Sequence, residues 1–296
     1  MSLTFDGRMR GDLHVHTTFS DGSDSLLATL NKGIAVGLSH IAITDHDTTA
    51  ALRLATALGR ERGIVVIPGV EISAYHFPTD RKIHVLGYGV PSPAPAVEAI
   101  CEPIRRRRGE MTLRQISILQ EAGYPVSRDK VEATLLRLLP PIERRLRPRD
   151  LFKQHIMDVL ITEGVADGFY GALYQQLFKG EGLCAEDITY ADVFAAVEAI
   201  AKDGGVAVLA HPGQQRSLDL VPELVEAGLS GIELNHPDNS EADKRRIEGT
   251  ARRHGLFLTG GSDAHGRLGS THQIGDIQAP PRALERLIAA RALTHC

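Results

Sequence analysis

Short apolar runs alternate with helix-like stretches through the first third of the chain. The run LHV (13–15) leads into a candidate helix at about 24–36, capped by Ser23 or Asp24. IAIT (41–44) leads into another at about 48–62, and GIVVIPGVEI (63–72) and KIHVLGYG (82–89) read as two further strands. The rhythm resumes later. Helices at about 190–203, 218–227 and 240–254 precede the runs GVAVLA (205–210), GIEL (231–234) and LFLTGG (256–261), and a last helix lies near 282–292. These runs are continuously apolar rather than alternating, as expected of parallel strands covered on both faces. Seven such strands in mostly βα order predict an α/β fold, a closed or nearly closed barrel.

Residues 97–189 break the rhythm. No strand is predicted there, only helical stretches at about 97–122, 128–138, 148–163 and 168–179. The expected organisation is a barrel made of residues 1–96 and 190–296 with a helical insertion at 97–189. The first part of the insertion is basic. Residues 101–153 hold 13 basic against 7 acidic side chains, a net of +6, which leaves the rest of the chain near -10. A basic lobe on an acidic body is suited to covering an anionic ligand. The same arginines also read as a solvated helix face.

Composition narrows the class. A chain of 296 residues with 43% hydrophobic and 24% charged residues is globular rather than disordered or fibrous. Its three cysteines, Cys101, Cys184 and Cys296, form no CxxC pair, so a disulfide framework is not expected and a reducing cytoplasm is. No apolar run reaches the roughly 18 residues of a membrane helix. The first residues lack an apolar signal core, so export is not expected. A formal charge of -4 and few aromatic residues argue against long nucleic acid as the main partner. The oligomeric state is not legible. The 13 histidines are the anomaly, because several stand beside carboxylates.

The strongest chemical signal is GDLHVHTTFSDG (11–22). His14 and His16 stand two apart on an extended run, so both point to one side, and Asp21 follows in the next loop. The pattern recurs at other strand ends. TDHD (44–47) offers His46, GVEIS (69–73) offers Glu71, and IHVLGYG (83–89) offers His84. VLAHPG (208–213) offers His211, and GGSDAHG (260–266) offers Asp263 and His265. The carboxyl ends of barrel strands share one face, so these side chains are expected to converge in one cup. Nine nitrogen and oxygen ligands exceed the about four that one zinc ion takes. They suit two or three divalent ions, with Glu71 or Asp263 bridging. Histidine and carboxylate without cysteine favour Mn, Fe or Zn. Asp45 and Asp47 read as supporting or capping groups. His40, His76, His254, His272 and His295 read as ordinary surface or loop residues.

The motifs DLHVHTTFSDG, TDHD, GVEIS, HVLGYG, AHPG and GGSDAHG together resemble the polymerase and histidinol phosphatase (PHP) family of metal-dependent phosphoesterases. The resemblance covers residues 11–89 and 205–266. It implies a distorted seven-stranded (β/α) barrel of PHP type and a binuclear or trinuclear metal site. Carried over position by position, one ion would take His14, His16, Glu71 and Asp263. A second would share Glu71 and add His84 and His211. A third would use Asp21, His46 and His265. All nine positions match. Such ions activate water and neutralise phosphoryl charge, as hydrolysis of a phosphate ester requires. Asp263 and His265 would then take part in catalysis, and His236, in ELNHP (233–237), is a candidate proton donor to the leaving oxygen. Tyr88 and Asn235 are further candidates of that kind.

The expected substrate is a small phosphorylated metabolite with two phosphate groups, one on the ions and one on basic partners. Arg106, Arg107, Arg145, Lys153 and His155 are candidates for the second group, and Gln214 is a further candidate substrate contact. In the family branch of nucleotide bisphosphatases and 5′-end ribonucleases an arginine follows AHPG, where this chain has Gln214 and Gln215. The segment KQHIM (153–157), with Tyr170 and Tyr174, is instead similar to the branch of phosphoribosyl cyclic phosphate diphosphodiesterases. That branch opens a cyclic phosphodiester and then removes the phosphate. Two other classes stay open at this stage. Metal-dependent amidohydrolases also use HxH with a late aspartate, but they carry a bridging lysine where this chain has Glu71. A non-catalytic metal-binding scaffold would not need the whole ligand set.

Overall fold

The computed structural model describes residues 9–148, 150–269 and 271–293. Its strands are β1 (Gly11–Asp12), β2 (His40–Ile43), β3 (Val65–His76), β4 (Arg81–Tyr88), β5 (Ala191–Asp192), β6 (Val206–Leu209), β7 (Gly231–Asn235) and β8 (Phe257–Gly260). Seven of them form a wall in the order β1-β2-β3-β4-β6-β7-β8, and the short β5 pairs with β3 outside that path. The two edges nearly meet. Leu13 donates its amide to the Gly260 carbonyl at 3.2 Å, and His16 donates to Ala264 at 3.0 Å. The result is the distorted seven-stranded barrel expected from the sequence.

Two local expectations change. Apolarity predicted parallel strands throughout, but β4 runs antiparallel to both β3 and β6. Only a short turn, Phe77–Thr79 followed by Asp80, links β3 to β4. A parallel pairing would need a crossover of a dozen or more residues. The reversal has a consequence for function: it brings the beginning of β4, with Lys82 and His84, to the end of the barrel where the other strands finish. In addition, 13–15 is extended but makes only a single bridge, Val15 with Ala264. Two of its amides are diverted to side chains, His14 to Asp12 at 3.3 Å and Val15 to Thr44 at 3.0 Å.

The helix expected at 24–36 spans Leu26–Ala35 and is capped by Ser25, whose hydroxyl accepts from Ala28 N. The two caps named from the sequence are engaged elsewhere. Ser23 accepts from Arg267 N at 2.8 Å, and Asp24 pairs with Lys32. The barrel interior is filled by Leu13, Ala42, Ile67, Leu86, Tyr88 and Val208, against Leu284 and Leu287 of the last helix. A second apolar cluster runs from Ile116 to Cys184 and draws all its members from the expected insertion. The long helix Pro95–Glu121 belongs to both cores: Val97, Cys101 and Ile104 pack on the barrel, whereas Ile116 and Leu119 pack in the lobe. A short helix at Pro141–Leu146 was not anticipated. Cys101 and Cys184 are buried free thiols, and Cys296 lies outside the described residues. Among the described residues no helix is long and apolar enough to cross a membrane.

Candidate metal centre

The centre forms where the first and last strands come together. Asp12, at the end of β1, accepts from the amides of His14, Ser262 and Gly275 and so joins the loops bearing His14 and Asp263. Burial pushes its carboxyl up to about 6 in spite of those bonds. A glycine is required at 261, since a Cβ there would stand 2.3 Å from the His14 nitrogen. Asp263 and His211 both have positive φ, +49° and +22°. Backbone strain of about 1–3 kcal/mol per residue persists only where the surroundings fix it, and it gathers at functional sites.

Glu71 is the hub. Its Oε2 lies 3.2 Å from His14 Nε2, 3.1 Å from His16 Nε2 and 3.3 Å from His46 Nδ1. Its Oε1 lies 2.8 Å from His84 Nδ1 and 2.9 Å from His211 Nε2. Asp263 Oδ1 lies 3.4 Å from His14 Nε2 and 3.1 Å from His16 Nε2. Asp21 Oδ1 is 3.4 Å from His265 Nε2. The structure therefore brings all nine predicted ligands together. Eight of them fall into overlapping groups: His14, His16, Glu71 and Asp263; His46, Glu71 and His84; and His16, Asp21, His46 and His265; His211 joins through Glu71 Oε1.

These residues fit divalent cations. Two atoms each about 2.1 Å from one ion, at tetrahedral to octahedral angles, stand roughly 3.0–3.4 Å apart. The spacings around Glu71 Oε2 and Asp263 Oδ1 fall in that range. The buried atoms His14 Nε2, both nitrogens of His16, Asp21 Oδ1, His46 Nδ1 and Asp263 Oδ1 lack a hydrogen-bond partner. Buried polar atoms are normally satisfied, so a converging set of unsatisfied ones points to an ion.

The electrostatics of the cation-free protein agree. Burial alone would raise Glu71, but the imidazoles of His46 and His14 hold it well below the usual carboxylate range. Burial is likewise overridden at Asp263 by His14 and His265, and at Asp21 by His265 and His46. Burial would depress His16, yet the adjacent carboxylates of Asp263 and Glu71 lift it to about 10. His46 responds the other way, and burial takes it down to about 4. Three carboxylates thus demand positive charge from their ligand shell.

His236 stands beside this centre, with Nε2 3.4 Å from Asp263 Oδ2. Its Nδ1 accepts from the Asp238 amide at 3.0 Å. That bond leaves the ring proton on Nε2, aimed at the cluster. The other two proton-donor candidates are used elsewhere: Tyr88 donates to the Leu13 carbonyl and Asn235 to the Gln278 carbonyl.

A cavity of about 570 Å³ opens from the centre along the lobe, and Lys153 and Gln214 line it. The remaining predicted anion contacts lie away from its lining. Arg106 is exposed and pairs with Glu110, and Arg107 donates to the Thr189 carbonyl. Arg145 is exposed on the short helix. His155 is buried, its Nδ1 accepts from Phe152 N, and burial takes it down to about 3. The cavity wall instead gathers Lys82, Arg108 and Lys179 with Lys153, Lys82 being paired with Asp187. His40 and His76, read as surface residues, are buried and bonded to Ser39 and Thr79. His295 lies outside the described residues.

Several residues escaped the sequence reading. Glu233 is fully buried, with Oε1 3.0 Å from His14 Nδ1, and its Oε2 accepts from the His211 amide at 2.8 Å. It fixes one ligand's ring and another's backbone, and such partners of ligating histidines raise their basicity. A carboxylate inside the apolar run GIEL was the available signal. Asp45, read as a supporting group, accepts from Thr17 and Ser20 and so shapes the loop that ends at Asp21.

A family model described as the PHP domain matches residues 12–136. The phosphoribosyl 1,2-cyclic phosphate 1,2-diphosphodiesterase of Eggerthella lenta is 44% identical over 264 residues, covering 89% of this chain and 97% of that protein. The 3′,5′-nucleoside bisphosphate phosphatase of Chromobacterium violaceum is 29% identical over 291 residues, covering 95% and 97%. The crystal structure of a Bifidobacterium adolescentis protein assigned to the metal-dependent phosphoesterases superposes with a TM-score of 0.83 at 26% identity, over 95% of this chain and 96% of that one.

Proposed function

The chain belongs to the PHP family of metal-dependent phosphoesterases, and from that premise we propose that it opens a cyclic phosphodiester on a phosphorylated ribose and then releases the phosphate. The observation that carries this reading is the 44% identity to the Eggerthella lenta diphosphodiesterase over 89% of the chain. The ions are two or three, and a shell of histidine and carboxylate without thiolate suits Mn, with Fe or Zn as alternatives. When bound, they supply a hydroxide nucleophile at neutral pH and neutralise charge on the phosphoryl oxygens.

The protein's own residues do the rest. Glu71 and Asp263 hold the reacting region together, and His265 is stacked 4.0 Å from His16. His236 presents its Nε2 proton beside Asp263, where it serves the departing oxygen. Both steps have the same requirement: hydroxide adds to phosphorus, one P–O bond breaks, and the leaving oxygen takes a proton. One site can therefore perform ring opening and then monoester hydrolysis.

Residues 97–189 act in this reading as a substrate lobe. Lys82, Lys153 and Lys179, with Arg108, put four cations on the cavity wall, against the carboxylates of Asp187 and Asp21. Burial lowers Lys153 from the usual lysine value against the opposing pull of Asp187, and nearby Lys82 and Lys179 add to the lowering. A second phosphate placed there relieves that crowding. Lys153→Ala is expected to raise KM about tenfold or more for a substrate with two phosphate groups, the size of a lost charge-assisted hydrogen bond. KM for an aryl phosphate should move less than twofold. Equal changes for both would make Lys153 a structural residue.

Phosphorus NMR of the Mn-loaded protein tests the reading directly. Ribose 5-phosphate 1,2-cyclic phosphate should open and then yield free phosphate, while a nucleoside 3′,5′-bisphosphate stays nearly inert. Phosphate released only from the bisphosphate would overturn the proposal and favour the activity named for the Chromobacterium violaceum relative.

A further inference from the structure

The nine ligands are not all held by the same part of the molecule. His14, His211 and Asp263 are braced by barrel residues, Asp12 and Glu233, and the His84 amide donates to Gln215 at 2.8 Å. The loops bearing Asp21, His46 and His265 are each tied to the helical lobe as well.

The Asp21 loop is gripped from the segment at 141–147. Thr18 Oγ1 donates to Glu143 at 3.0 Å, the Leu26 amide donates to the other oxygen of Glu143 at 3.1 Å, and Arg147 donates to the carbonyls of Thr18 and Ser20. Asp45 of the barrel shares in holding this loop. The His46 loop is gripped from the long helix. Arg105 donates to the Asp47 carbonyl and Arg108 to the Asp47 carboxylate, both at 2.6 Å. The His265 loop is gripped from the helix Lys153–Thr162, where Asp158 takes both terminal nitrogens of Arg267, one at 2.7 Å. Ser23 then ties two of these loops together, since its amide donates to the His265 carbonyl at 3.0 Å and its hydroxyl accepts from the Arg267 amide.

We propose that the helical lobe is the positioning frame for one cation, the one held by Asp21, His46 and His265, so that its retention depends on Asp158, Glu143 and Arg108 while the ions on Glu71 and Asp263 depend on the barrel. Three polar clamps from three separate lobe segments end on the three loops of that trio, which is more than packing alone requires. The inference rests on reading the nine residues as a cation centre. Because affinity coupling is reciprocal, that cation in turn holds the lobe in place over the cavity.

The experiment is Mn(II) binding by equilibrium dialysis with elemental analysis, which needs no substrate. Compared with the wild type, Asp21→Asn identifies the ion of the trio by the affinity it removes. Asp158→Asn and Glu143→Gln are then expected to weaken that same ion about 10–100-fold, the usual cost of losing a partner of a ligand. The remaining ions should keep their affinity, and Asp158→Glu should restore most of the loss. Glu233→Gln should do the reverse, weakening the ions bound through His14 and His211 and sparing the trio. Should Asp158→Asn fail to fold, Arg267→Lys breaks the same two-pronged contact from an exposed side chain. Wild-type affinities in the lobe variants, or uniform weakening of every ion, would overturn the inference, as would an Asp21→Asn variant with unchanged Mn content. A wild type that binds no Mn would instead remove the metal reading itself.

Discussion

Replacing Glu71 by glutamine is expected to abolish hydrolysis, lowering kcat/KM by at least about 10³-fold, or some 4 kcal/mol of transition-state stabilisation. The reason is the number of groups that depend on one carboxylate. Its two oxygens face five imidazoles, those of His14, His16, His46, His84 and His211. Glutamine has nearly the same shape, so the strand β3 and the surrounding core should fold. It removes a negative charge, however, and turns two hydrogen-bond donors toward nitrogens that must act as ligands. Metal content per chain should fall together with activity, and the melting temperature should locate any folding defect separately. A variant with wild-type metal content and activity within tenfold would refute Glu71 as the shared ligand.

The barrel and the convergence of its candidate ligands were legible because most of these residues sit at the end of an apolar run, and apolar runs mark strands. What was not legible has particular causes. Apolarity records that a strand is covered, not which way it runs, so β4 was read as parallel. The link of a few residues between β3 and β4 was the only cue to the reversal. Glu233 and Asp12 gave no periodic signal, because a lone carboxylate in a buried strand becomes meaningful only when its partners are known. The run Arg105–Arg108 shows the limit most clearly. Consecutive helical residues point about 100° apart. Arg105 and Arg108, three apart, therefore share a face and reach Asp47, while Arg106 and Arg107 turn outward. The expectation chose the outward pair. Knowing which face of that helix met the barrel would have reversed the choice.

Removing the divalent ions with a chelator is expected to lower the melting temperature, and to lower it more at pH 9 than at pH 6.5. Ions present at about a thousand times their dissociation constant stabilise the folded state by about 4 kcal/mol. At about 2–4 °C per kcal/mol for a chain somewhat smaller than this one, the drop is on the order of 10 °C. The pH dependence follows from the imidazoles. Without cations, the carboxylates of Asp263 and Glu71 lift His16 to about 10, and carboxylates also lift His14 and His265 above the ordinary histidine value, in each case against the effect of burial. A histidine raised on folding contributes stability that is complete below its unfolded value near 6.5 and is lost as pH climbs through its folded value. Between pH 6.5 and 9 the unfolded chain gives up its histidine protons while the stripped folded protein keeps them on groups such as His16, so folding takes up protons that grow scarcer and the stripped protein loses stability as pH rises. The loaded protein has cations neutralising the buried carboxylates and neutral imidazoles as ligands, so its stability should hardly change over the same interval. Scanning calorimetry of both forms at the two pH values gives the comparison. A gap that stays constant or narrows toward pH 9 would mean that the buried carboxylates are not balanced by these histidines, and the ligand assignment built on that balance would fall with it.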